Sequence, residues 1–172
     1  MKLDWINSAG GPLVCASYVT AEAWQGVAGS SIGDVRSDYD RACEQFDYVG
    51  VVRCDSSEVL ILGDEPMQSA FFLSSEKVFI ARWVACESKE AAAIALATLP
   101  ANLPSIEEAT LFRLDSLGLV MFDAAEYTTS SACSSHINLP PGTYAVSTKE
   151  YKHQGRFHFL VHELQPVEGK IS

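Results

Sequence analysis

The stretch YVGVVRCDSSEVLILGDEP, residues 48–66, decides how the rest of this chain is read. Residues 48–54 and 59–62 are β-branched and aliphatic runs, and the polar cluster Asp55, Ser56, Ser57, Glu58 between them has turn chemistry, so the stretch predicts a hairpin. Val59, Leu60, Ile61 and Leu62 are apolar without alternation, which requires cover on both faces, as in an inner strand. Full burial of each such side chain contributes about 1.5–3 kcal/mol against a backbone ordering cost of about 1–2 kcal/mol per residue. Gly63, Asp64, Glu65 and Pro66 then end the strand: glycine permits the turn, proline cannot extend the ladder, and two carboxylates stand where the chain leaves the core.

Working outward, residues 3–6 and 13–19 read as short strands around the turn-rich NSAGGP. Thr20 is placed to N-cap a short helix over 21–25, closed by Gly26. Ser37 and Asp40 form a capping-box pair, and Tyr39, Ala42, Cys43 and Phe46 recur at helical spacing, predicting an amphipathic helix over 38–46. Residues 70–73 and 78–86 predict a second hairpin, with Phe79, Ala81 and Trp83 on one face and Ile80, Arg82 and Val84 on the other. Ser88 caps an alanine-rich helix over 89–99, closed by Pro100. Residues 109–115 and 117–122 read as a third hairpin, and 137–139, 143–148 and 157–164 as closing strands. The expected fold is α+β: mainly antiparallel sheet with two main helices packed against it. A weak echo between VLILGDEP…FFLSSEKVFIARW and LVMFDAAE…INLPPGTYAVST suggests two similar β-rich halves, 1–100 and 105–168, within one domain over 1–172.

The 172 residues carry 12 basic against 22 acidic side chains, a net charge of −10, with 48% hydrophobic residues. That composition belongs to a globular chain large enough to bury a core without disulfides. The five cysteines (Cys15, Cys43, Cys54, Cys86, Cys133) are odd in number and mostly set in apolar runs, as expected for reduced thiols. With no apolar leader-like segment at the start and no membrane-length apolar run, the expected location is cytoplasmic. From Asp34 to Glu65 nine acids face three arginines, a local net charge of 3 − 9 = −6. This field disfavours nucleic acid and suits a basic protein or a cationic ligand.

Catalytic and metal motifs are sparse. The glycines of GVAGSSIG (26–33) have neither the dinucleotide spacing nor a P-loop lysine. Cys133 and His136 have a nucleophile–base or metal-ligand spacing, but no second cysteine pair completes a site. Adjacent Asp64 and Glu65 point opposite ways in extended chain. An enzyme built on Asp64/Glu65 or Cys133/His136, and a non-catalytic adaptor, are the alternatives to a binding protein. Trp24 and Tyr39, beside glycine-rich or charged loops, are the aromatics placed for exposure, where they would anchor a partner.

Trp5 with SAGGPL (8–13), SDYDRAC (37–43), Tyr48 with Gly50-Val51-Val52, LGDEP (62–66), ARWV (81–84), MFD (121–123) and LPPGTYAV (139–146) occur in an order that resembles the immunity protein 21 family of bacterial polymorphic toxin systems. The resemblance implies a β-rich domain, encoded beside a toxin gene, that binds the toxin without catalysis, cofactor, metal, nucleic acid or membrane. It marks Trp5, Gly10, Gly11, Pro12, Gly63, Pro66, Trp83, Asp123, Pro140, Pro141, Gly142 and Tyr144 as structural positions. The chain departs from the family in its serine-rich loop 124–135, which suggests a different cognate toxin. Combined with the local charge, this points to a basic toxin such as a nuclease, met by Asp38, Asp40, Glu44, Asp47, Asp64 and Glu65 with Trp24 and Tyr39.

Overall fold

A computed structural model describes residues 2–29, 35–63, 65–126 and 134–167. Among these residues the chain forms ten strands: β1 Leu13–Ser17, β2 Gly50–Cys54, β3 Ser57–Leu62, β4 Ser69–Ser74, β5 Lys77–Cys86, β6 Thr110–Leu114, β7 Leu119–Asp123, β8 Ser135–Ile137, β9 Gly142–His153 and β10 Phe157–Pro166. Three α-helices accompany them, α1 Tyr18–Ala23, α2 Asp38–Cys43 and α3 Lys89–Ala97. The strands make two five-stranded antiparallel sheets, ordered β2-β3-β1-β7-β8 and β4-β5-β10-β9-β6. The fold is therefore α+β and dominated by antiparallel strands, as the sequence predicts. Each sheet takes strands from both sides of the 101–105 linker.

Strand β3 shows why its apolar run does not alternate. Leu60 and Leu62 point between the sheets, against Leu13, Phe71, Ile80 and Phe112. Val59 and Ile61 point the other way, into a layer with Val14, Trp24, Ala42 and Phe122 beneath α1 and α2. All four are buried, so β3 is an inner strand with two covered faces. Strand β5 behaves likewise: Val78 and Ile80 face the inter-sheet core, while Phe79, Ala81 and Trp83 face a third layer roofed by Ala92, Ala95 and Leu96 of α3. The order of layers is helix, sheet, sheet, helix.

Several predicted elements are corrected. The β2–β3 turn uses only Asp55 and Ser56, with Asp55 at φ 53°, so Ser57 and Glu58 belong to the strand. Residues 3–6 make one β-bridge, Ile6 to Ser69, rather than a strand; Trp5 is held instead by ring contacts with Trp83 and Phe159. Helix α1 starts earlier than predicted because Ser17, not Thr20, is the N-cap, accepting from the Thr20 amide at 3.3 Å. Helix α2 keeps the predicted capping box but ends at Cys43, leaving Cys43 exposed and Phe46 82% exposed. Its buried face is Ala42 alone, with Tyr39 packed at the margin. Helix α3 begins at the predicted cap, Ser88, and ends two residues short of prediction.

The third predicted hairpin is not one. Strand β6 pairs with β9 in one sheet and β7 with β1 and β8 in the other. The link between them crosses the sandwich, and Gly118 makes the crossing at φ 88° over the Tyr18 ring, where a Cβ would overlap the ring carbons. Every residue of β7 is buried, which an inner strand requires and a hairpin edge does not.

Candidate functional site

The β2–β3 hairpin leaves the core at Gly63, and a buried arginine from the other sheet fastens it there. Arg82 on β5 is 1% exposed; its Nη1 donates to the Tyr48 carbonyl at 3.1 Å and its Nη2 to the carbonyls of Gly63 at 2.5 Å and Glu65 at 2.6 Å. One guanidinium thus ties the chain before β2 to the chain after β3. Gly63 lies so close to the 45–47 backbone that a Cβ would sit 2.7 Å from the Gln45 carbonyl oxygen and closer still to that of Asp47. The side chains of Asp47 and Glu65 emerge from this rigid knot, both exposed and with no side-chain partner among the described residues. Pro66 beside them is exposed, and Asp64 lies outside the described residues.

The other predicted carboxylates are less available than their sequence suggests. Asp38 pairs with Arg41 and Glu44 with Arg36. Asp40 is committed to the cap, accepting from the Ser37 hydroxyl at 2.6 Å and the Ser37 amide at 3.3 Å. Asp38 and Asp40 sit with Tyr39 on α2, Glu44 is its C-cap next to Gln45, and Asp47 and Glu65 stand at the exit end of the hairpin. At the turn end a cleft of about 480 Å³ opens between α1, α2 and the turn, lined by Ser37, Asp38, Tyr39, Cys54 and Asp55. Tyr39 is half-buried; its hydrogen bond with Cys43, followed by burial and the Cys43, Asp123 and Asp40 charges, raises its phenol pKa. Burial, then the Asp38 carboxylate, pushes the Cys54 thiol up to about 12, and burial alone raises Cys15. Both thiols stay protonated at neutral pH, a poor setting for nucleophilic chemistry.

Trp24 is not an exposed anchor. It is 4% exposed, packs edge-on to Phe122 and donates its indole N–H to the Ala124 carbonyl at 2.8 Å. Its position before a glycine-rich loop gave no sign that the indole N–H had a buried acceptor 100 residues away. His136 lies exposed on β8, and Cys133 is outside the described residues. His162 is fully buried, its Nδ1 3.0 Å from the Thr148 hydroxyl. Among the described residues no three His, Cys, Asp or Glu side chains converge as metal ligands.

The sequence segments singled out above meet in pairs. The buried carboxylate of Asp123, from MFD, accepts from the Ala9 amide within SAGGPL and from the Ala125 amide at 2.7 Å, while Ala124 N–H donates to the Pro12 carbonyl at 3.0 Å. Gly11 packs against the same carboxylate. Arg82 of ARWV holds LGDEP as described. Tyr144 closes its own LPPGTY loop, its hydroxyl donating to the Pro140 carbonyl at 2.6 Å. A family model described as Immunity protein 21 matches residues 4–156, which contain every one of these pins.

The chain belongs to the immunity protein 21 family.

No curated protein and no solved structure matches it. Within this immunity protein 21 chain, Arg82 is the residue whose role the sequence reading missed. Its one signal was a guanidinium in the apolar run VFIARWVA, which must find buried acceptors or not be buried at all. No helix among the described residues is long and apolar enough to cross a membrane.

Proposed function

We propose that this protein is the immunity partner of a polymorphic toxin encoded by a neighbouring gene, and that it acts in the cytoplasm by binding the toxin in a stoichiometric complex without catalysis. The observation that carries the reading is the family match across most of the chain. The charge distribution adds the partner's chemistry: a net −10 with the acids gathered around the β2–β3 hairpin favours a basic toxin, such as a nuclease, whose phosphate-binding groove these carboxylates would fill. In this reading Asp47 and Glu65 lead, because they are unpaired and held on rigid backbone, so ordering them on binding costs little. Asp64, between Gly63 and Glu65 in the sequence, is proposed to act with Asp47 and Glu65. Asp38 and Glu44 contribute after exchanging their arginines for toxin cations, and Asp40 and Tyr39 position the α2 rim. The test is co-expression with the adjacent open reading frame. Growth should depend on this protein, and the two products should co-purify in a one-to-one complex; survival without it, or no complex, refutes the proposal.

A further inference from the structure

Phe46 is the most exposed large apolar side chain among the described residues, 82% accessible, and it lies where the central hairpin leaves the core. Helical spacing from Tyr39 and Ala42 would carry it to the inner face of α2, but the helix ends at Cys43 with Glu44 as its C-cap. The backbone on either side of the ring is fixed instead. The Gln45 amide donates to the Ala42 carbonyl at 3.2 Å and Gln45 Nε2 to the Arg41 carbonyl at 3.5 Å, while the Gln45 side chain packs over Gly50. The carbonyls of Gln45 and Asp47 both crowd Gly63, and the next carbonyl, that of Tyr48, accepts from Arg82 at 3.1 Å. Phe46 is therefore a solvent-facing ring between two pinned neighbours.

Single exposed aliphatic side chains are ordinary on a surface, but an aromatic ring displayed on fixed backbone has the properties of an interface anchor: a large contact area and little backbone freedom left to lose. The charges around it define what fits. Asp47 follows Phe46 directly and Glu65 stands two residues beyond Gly63, both exposed and without a side-chain partner among the described residues. On the preceding side Arg41 and Arg36 are already paired with Asp38 and Glu44. An aliphatic occupant would strip water from the neighbouring carboxylates and give nothing in return. A guanidinium can lie flat on the ring and still direct its in-plane N–H groups at a carboxylate, which an ammonium cannot do with the same geometry. A second copy of this chain would bring its own acids to the same place and be repelled.

We propose that Phe46 is the aromatic anchor of the toxin interface, and that it receives an arginine side chain of the toxin whose guanidinium stacks on the ring and pairs with Asp47 or Glu65. The inference rests on the toxin-neutralising reading and deepens it: the carboxylates attract a basic partner from a distance, and the ring selects an arginine at contact. The ring then governs how long the complex lasts, whereas the acids govern how fast it forms.

The experiment measures dissociation of the full chain from the purified product of the adjacent open reading frame, for the parent and for Phe46→Ala, Phe46→Leu, Phe46→Tyr and Phe46→Lys. Phe46→Ala and Phe46→Leu should dissociate about tenfold or more faster, Phe46→Lys faster still because it sets a like charge against the guanidinium, and Phe46→Tyr, which keeps the ring, within about threefold of the parent. Because the side chain is exposed, the variants should melt with the parent, and the Leu and Tyr pair carries the comparison if the smaller residue does not fold. The inference is overturned if Phe46→Ala releases the toxin as slowly as the parent, if Phe46→Leu does so, which would make the occupant aliphatic, or if Phe46→Tyr loses as much as Phe46→Leu. Each of those results leaves toxin neutralisation standing, whereas a parent that forms no complex removes both readings.

Discussion

The Arg82 guanidinium lies 2.5 Å from the carbonyl oxygen of Gly63, and with that contact a strand of one sheet holds the point where the central hairpin of the other sheet leaves the core. The bond is charge-assisted and buried, and the same side chain also satisfies the carbonyls of Tyr48 and Glu65. Arg82→Met keeps much of the side-chain volume and removes every donor, stranding three carbonyls. Only the Gly63 contact is fully buried, the Tyr48 and Glu65 carbonyls being part-buried, so with a buried unsatisfied acceptor costing about 1–3 kcal/mol the expected loss is about 1–3 kcal/mol in denaturant melts. Arg82→Lys should recover part of it. A loss below about 1 kcal/mol for the methionine variant would show that the clasp is not structural.

Leu60→Ala and Ile61→Ala open cavities on opposite faces of β3, one between the sheets and one beneath the helices. Each should cost about 2–5 kcal/mol by equilibrium unfolding. A small loss in both would contradict the reading of β3 as a strand covered on two sides.

Acid should unfold the protein in two stages. Burial, reinforced by the nearby Arg82 charge, holds His162 well below its ordinary 6.5, so the unfolded chain binds a proton that the folded chain rejects, and stability falls as pH drops below about 6.5. Burial alone would raise the Glu163 carboxyl, but its ion pairs with Lys149 and Lys77 outweigh it and hold the group below its ordinary 4.5. The stability from Glu163 is therefore present above pH 4.5 and is lost as pH falls through its lower folded value. Melting temperatures measured across pH should show His162→Gln flattening the first stage and Glu163→Gln the second. A first stage unchanged in His162→Gln would assign it to another group.

Asp40 and Glu65 should separate stability from recognition. Asp40→Ala dismantles the capping box and should cost about 1 kcal/mol of stability with little direct effect on association. Glu65→Ala, exposed and unpaired, should leave the melt unchanged and alter binding to the toxin. The opposite pattern would exchange their roles.

What was legible in the sequence followed from local rules. Four consecutive apolar residues, Val59 to Leu62, can be satisfied only by an inner strand, and Ser37 with Asp40 announces a helix start whatever surrounds it. What was not legible depended on partners distant in the chain. Thr110 to Leu114 and Leu119 to Asp123 are as hairpin-like in pattern as any pair here, yet they enter different sheets because β9 and β1 offer each its edge. Phe46 fits the helical period of α2, but the helix stops at Cys43 and the following backbone is spent on close passage beside Gly63. Among the acids, sequence showed the excess of charge. It did not show that Arg36, Arg41 and the cap neutralise half of the proposed contacts, which leaves Asp47 and Glu65 as the unpaired ones among the described residues.

The central claim is that this protein disarms a toxin by binding it through the acidic hairpin. The most direct measurement is the dissociation constant for the purified product of the adjacent gene, taken for the parent and for the double variant Asp47→Ala/Glu65→Ala at low and high salt. The account predicts a one-to-one complex, weakened in the double variant by about tenfold or more at low salt, with slower association, a shallower salt dependence and an unchanged melt. Equal affinity of parent and double variant at both salt concentrations would contradict it.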